Sequence, residues 1–131
     1  MSEVTLDSSA LLAAILLERG SGQVAEIMRV NDCALSTVNL SEVVTKLLER
    51  GLPRMAAFQA VAAAKLSIHP FDEADAFEAA ALRELTRAAG LSLGDRACIA
   101  LASRLGTPVV TADKAWASIA LPVEVILIRP G

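Results

Sequence analysis

Residues 91–113 read LSLGDRACIALASRLGTPVVTAD, and their order decides the architecture. Ser92 with Asp95 three residues on matches a capping box, the signature of a helix start. The helix continues through "DRACIALASRL" (95–105), and Gly106 stops it. "PVVTA" (108–112) follows as a strand and runs directly into Asp113. Asp95 shares a helix stripe with Cys98, Leu101, Ala102 and Leu105, which turns its carboxylate toward the sheet rather than bulk water. An unpaired buried charge there is costly.

The same alternation extends over the rest of the chain. Strands are expected at "EVTLD" (3–7), "CALST" (33–37), "KLSIHPF" (65–71) and "VEVILI" (123–128). Helices are expected at 9–19, 23–30, 40–50, 54–64 and 73–89, with a helical turn or two at "KAWASI" (114–119). Strands separated by helices pair in parallel, so the fold class is α/β, three layers with a central parallel sheet of four to five strands. Crossovers are right-handed. Ligands in such sheets bind beyond the C-terminal strand ends, where the strand order reverses.

The totals narrow the function. With 131 residues and no repeat or linker, a single domain over 1–131 is expected, able to bury about two-thirds of its unfolded surface. Hydrophobic residues make up 54% of the chain. The longest unbroken apolar run, Ala10 to Leu17, falls short of the roughly 20 residues of a membrane span. "MSEVTLD" carries no signal-peptide pattern, so a cytoplasmic location and no membrane contact are expected. The apolar excess then implies surface covered by partner chains. Cys33 and Cys98 read as small core side chains rather than a disulfide or a zinc site. A net charge of −3, with no Tyr and one Trp, excludes a general electrostatic or base-stacking binder of nucleic acid.

Acids follow the strands. Asp7 comes after the first, Glu42 in the first turn of the helix after the second, and Asp113 after "PVVTA", while Asp95 opens the helix before that strand. Taken singly, each is explained by a cap: Asn39 with Glu42 and Ser92 with Asp95 as capping boxes, Asp7 and Asp113 as N-caps. The acids of "HPFDEADAF" serve as a control, where plain capping is expected. Glu42 also falls on the polar side of its helix with Lys46, an i,i+4 pair worth a few tenths of a kcal/mol. Taken together, several carboxylates on one sheet edge repel one another unless protons or a cation intervene. All-oxygen donors favour Mg²⁺ or Mn²⁺ over zinc.

With those residues placed, the chain resembles a PIN domain, and more narrowly a VapC-type toxin ribonuclease. The resemblance runs nearly end to end through "TLDSSALLA" (5–13), "STVNLSEVV" (36–44) and residues 91–113. It implies that Asp7, Glu42, Asp95 and Asp113 form an acidic quartet binding Mg²⁺ or Mn²⁺ and activating water. It implies that Ser9 and Thr111 support the metal shell, that an antitoxin protein neutralises the chain, and that the chain is a homodimer. Asp7 is expected to cap its helix poorly because the metal holds it.

The function expected is hydrolysis of RNA phosphodiesters by a metal-dependent endoribonuclease, with Arg96 and Lys114 as candidates for holding the RNA backbone. A solvated charge at a helix start explains those two equally well. Lone His69 is assigned a structural or surface role, Trp116 an anchoring one, and Met28 and Met55 core or interface filling. Two rivals stand beside this reading: a catalytically silent PIN-fold module that binds RNA or a partner, and a receiver-like Mg²⁺-binding signalling domain. The receiver-like pattern wants paired acids after the first strand, and Asp7 is followed by serines.

Overall fold

The structure is a computed structural model and describes residues 2–128. The chain order is β1 (Ser2–Leu6), α1 (Ser8–Leu16), α2 (Ser21–Val30), β2 (Asn31–Ser36), α3 (Thr37–Glu49), α4 (Arg54–Ala63), β3 (Ser67–His69), α5 (Glu73–Thr86), α6 (Leu93–Leu105), β4 (Val109–Thr111) and β5 (Val125–Leu127). Short 3₁₀ turns at Arg87–Ala89 and Lys114–Ser118 complete it. All strand pairs are parallel, in the order β3-β2-β1-β4-β5. Among the described residues the strand count is therefore five, at the upper end of the expected range.

That order has a handedness consequence. The chain steps outward from β1 to β2 to β3 with α1 to α4 as crossovers, then returns to the far side of β1 through α5 and α6. Right-handed crossovers taken in opposite directions place their helices on opposite faces. Two separate cores result. Val4, Leu6, Cys33, Leu35 and Val110 pack with Leu11, Val24, Val43, Leu47 and Val61 of α1 to α4. Val109 packs on the other side with Leu91, Cys98, Ile99, Ala102 and Trp116. Val109 and Val110 part to opposite faces because neighbouring strand residues alternate.

Both cysteines are buried and unpaired. The Cys98 thiol donates to the Leu6 carbonyl at 3.5 Å, and burial, with the nearby acids, holds it well above the ordinary thiol range. Trp116 is fully buried as the anchor of its turn. Met28 is half-buried against the first core, whereas Met55 is exposed. Asp72 caps α5 through the Asp75 N–H at 2.9 Å, the plain cap expected of the control segment. Asp75 then turns inward to accept two hydrogen bonds from Arg104 of α6, at 2.9 and 3.1 Å. No helix among the described residues is long and apolar enough to cross a membrane.

Candidate active site

The strand order reverses between β1 and β4, so their C-terminal ends form the switch point of the sheet. Asp7 follows the first of these strands, while Thr111 ends the second and Asp113 follows it. A cleft of about 420 Å³ opens there, lined by Asp7, Ser8, Ser9, Leu12, Ser41, Glu42, Thr45, Lys46, Glu49, Asp95 and Asp113. All four acids of the sequence reading border this one cleft.

Asp7 is the most constrained of them, at 3% exposure. Its Oδ1 accepts from the Ala10 N–H at 2.8 Å, and Ser9 Oγ donates to its oxygens at 2.8 and 2.9 Å. Thr111 Oγ1 donates to Oδ2 at 2.5 Å. The expectation of a poor cap is therefore corrected: Asp7 caps α1 with good geometry, because a carboxylate has acceptors enough to cap with one and bind elsewhere with the rest. Burial pushes its pKa up to about 6, against the pull of the Thr111, Ala10 and Ser9 hydrogen bonds, and the Asp95 charge adds to the rise. Ser9 and Thr111 are thereby in direct contact with Asp7. They are themselves fixed by the Ala112 N–H on Ser9 Oγ and the Asp113 N–H on Thr111 Oγ1, each at 3.0 Å.

Asp95 opens α6 in a true capping box with Ser92: the Ser92 N–H donates to Asp95 Oδ2 at 2.9 Å, and the Asp95 N–H to Ser92 Oγ at 3.2 Å. It is half-buried, and burial, with the charges of Asp113 and Glu42, raises its pKa. Asp113 is exposed and caps the following 3₁₀ turn through the Ala115 N–H at 2.9 Å. Capping and cleft-lining coexist at all three aspartates.

Glu42 departs from its expected setting. Ser36, not Asn39, caps α3, accepting from the Val38 N–H at 3.2 Å. The helix thus starts at Thr37, and Glu42 falls in its second turn rather than its first. Glu42 is half-buried, and no ion pair joins it to Lys46 among the described residues. Instead Ser8 Oγ donates to its Oε1 at 2.5 Å, and Asn39 Nδ2 donates to the same oxygen at 3.1 Å. Asn39, read in the sequence as a cap, is a buried helix-interior residue of the site. Its sequence signal was position: Asn39, Val43 and Leu47 fall on one helix stripe, and all three are buried.

Two further candidates move away. Arg96 donates to the Ala79 carbonyl of α5 at 2.9 Å and does not border the cleft. Lys114 is exposed and also lies off the cleft lining. The cation that does line it is Lys46, one turn beyond Glu42. His69 ends β3, within 3.2 Å of Ser67 Oγ and off the cleft lining.

The donor set suits a small hard cation. It is all oxygen, it crowds negative charge into one cleft, and Asp7 and Asp95 have pKa values raised partly by their neighbours. Among the described residues no three acid, His or Cys side chains are drawn tightly enough to enclose an ion by themselves. Mg²⁺ asks for less, since it keeps several waters and takes one or two direct carboxylates.

Solved structures share this fold. VapBC2 from Rickettsia felis, bound to a DNA fragment from its promoter, matches with a TM-score of 0.73 and 17% identity, covering 95% of this chain and 97% of that one. VapC20 of Mycobacterium tuberculosis, described as a sarcin-ricin loop cleaving toxin, gives a TM-score of 0.74 at 17% identity, covering 89% and 96%. FitAcB from Neisseria gonorrhoeae gives 0.64 at 19% identity, covering 94% and 96%. Comparison with curated protein sequences returns no match. The PIN-domain family model matches residues 4–121, which include the switch point and all four acids, and on that match the chain belongs to the PIN-domain family.

Proposed function

We propose that this chain is a metal-dependent endoribonuclease acting as the toxin of a toxin–antitoxin pair. The observation that carries the reading is the convergence of Asp7, Glu42, Asp95 and Asp113 on one cleft at the switch point of the sheet. Three of the four double as helix caps, yet capping alone requires neither their shared cleft nor the burial of Asp7.

Asp7 and Asp95 would anchor the ion, Mg²⁺ or Mn²⁺, with Glu42 and Asp113 completing its surroundings directly or through waters. When bound, such an ion supplies an activated water and offsets charge on the reacting phosphate. The residues of the chain do the rest. Ser9 and Thr111 hold Asp7 in one orientation, Ser8 holds Glu42, and the Ser92 N–H holds Asp95. The N-termini of α1 and α6 face the same edge and favour a phosphate there. Lys46 replaces Arg96 and Lys114 as the side chain suited to a neighbouring phosphate. In the overall step water adds to phosphorus and one ester P–O bond breaks.

The toxin assignment draws on the relatives, whose structures are VapBC complexes and a loop-cleaving VapC. An antitoxin partner and a homodimer also fit the exposed apolar side chains Leu48, Met55, Phe58, Phe77 and Leu85. A cytoplasmic location goes with an RNA substrate.

The test is cleavage of total cellular RNA by antitoxin-free protein with Mg²⁺ or Mn²⁺. Discrete products that vanish with EDTA and in Asp95→Asn support the reading. A folded wild-type protein that binds Mn²⁺ but cuts nothing overturns it in favour of a binding-only module.

A further inference from the structure

Glu42 is the one acid of the quartet that takes no part in a helix cap. It sits in the second turn of α3 and would be free to swing along the cleft wall. We infer that Asn39 is its positioning residue, through a clasp that joins the three helices around the site. This inference deepens the nuclease reading above and rests on it.

Asn39 is 1% exposed. Its Nδ2 lies 3.1 Å from three acceptors: Ser8 Oγ of α1, Glu42 Oε1 of α3 and the Gly94 carbonyl of α6. Those helices carry Asp7 at the cap of the first, Glu42 within the second and Asp95 in the first turn of the third. One amide group thus touches all three. Its orientation is dictated, because a carboxylate and a carbonyl can only accept; rotated by half a turn, Oδ1 would face both. Oδ1 itself has no hydrogen-bond partner, so all of the side chain's polar contacts go to the clasp.

The opposite wall is Gly94. A Cβ at that position would run into the carboxylate of Glu42, so any side chain there would push Glu42 out of the clasp. Glu42 is therefore held on two sides: Ser8 and Asn39 take Oε1, and the bare backbone of Gly94 lies against the carboxylate. The clasp converts a flexible glutamate into a fixed one, and it ties Glu42 to the helix start that presents Asp95.

The experiment compares wild type with Asn39→Ala, Asn39→Asp and Gly94→Ala by calorimetric Mn²⁺ titration, RNA cleavage kinetics and thermal unfolding. Loss of a group that orients a metal-binding side chain lowers affinity or turnover about 10–100-fold. Asn39→Ala and Gly94→Ala are expected to weaken Mn²⁺ binding and kcat by about 10-fold or more while KM stays within about twofold. Asn39→Asp, which sets a carboxylate against Glu42 and the Gly94 carbonyl, is expected to be worse than Asn39→Ala. A folded Asn39→Ala protein with wild-type Mn²⁺ affinity and kcat overturns the assignment. If wild type neither binds Mn²⁺ nor cuts RNA, the nuclease reading fails separately. The clasp is then decided by exchange of the Asn39 side-chain amide protons in the wild-type protein. Slow exchange supports it, and exchange at the solvent rate overturns it; the same measurement decides if the variants do not fold.

Discussion

Thr111 donates a hydrogen bond of 2.5 Å from Oγ1 to Oδ2 of Asp7, across 104 residues of chain. It joins the C-terminal ends of the neighbouring strands β1 and β4 and lowers the pKa that burial raises. Thr111→Val keeps the shape and removes the donor. A destabilisation of roughly 1–3 kcal/mol is expected, as for a buried group left short of a partner, with RNA cleavage down about 10–100-fold. Thr111→Ser retains the donor and is expected to stay close to wild type in both urea unfolding and cleavage rate.

Asp7 makes metal-free stability depend on pH. Its pKa is about 6 in the fold against an ordinary 3.8, so between those values the folded state binds more protons than the unfolded one. Its contribution is complete below about pH 4 and is lost as pH rises through 6. Asp7→Asn mimics the protonated form at every pH. Without divalent ions it should match wild type near pH 4 and exceed it at pH 7.5 by up to about 3 kcal/mol. Adding Mg²⁺ should raise the Tm of wild type but not of Asp7→Asn.

Capping and chemistry separate at the start of α6. Ser92→Ala removes the Oγ that accepts the Asp95 N–H, but the backbone N–H of residue 92 still holds Asp95 Oδ2. A loss of about 1 kcal/mol in stability is expected, with cleavage nearly unchanged. Asp95→Asn should do the reverse, dropping cleavage beyond the roughly 100-fold limit seen for supporting residues with a smaller change in unfolding midpoint.

Arg104 offers a control remote from the cleft. Its partner Asp75 has a side chain only 4% exposed, while Arg104 is 40% exposed. Arg104→Met leaves a buried carboxylate unpaired, and roughly 1–3 kcal/mol should be lost, less than for a fully buried pair. The RNA cleavage rate of the folded fraction should not change.

The element order was legible because apolar periodicity marks the helices and strands, and a glycine such as Gly106 stops some of the helices. The acids were legible because helices after parallel strands begin on one edge. Asn39 was misread because Asn-x-x-Glu looks the same at a cap and inside a helix, and Ser36 at the strand end had already taken the cap. Arg96 lies off the cleft that Asp95 lines because adjacency in sequence says nothing of direction: residues 95 and 96 stand about 100° apart around the helix. Lys46 was overlooked as a cleft residue because its i,i+4 spacing to Glu42 suggested an ion pair, whereas Ser8 and Asn39 engage that carboxylate.

The return of the chain to β1 after β3 sets when the site can exist at all. A ribosome makes Asp7 104 residues ahead of its partner Thr111, which arrives only with β4, after α5 and α6. Closing so long a loop is slow and is rewarded only once β4 docks. Until then the acids are spread over an open chain. A growing polypeptide of this sequence thus has no assembled acidic cleft until β4 has been made.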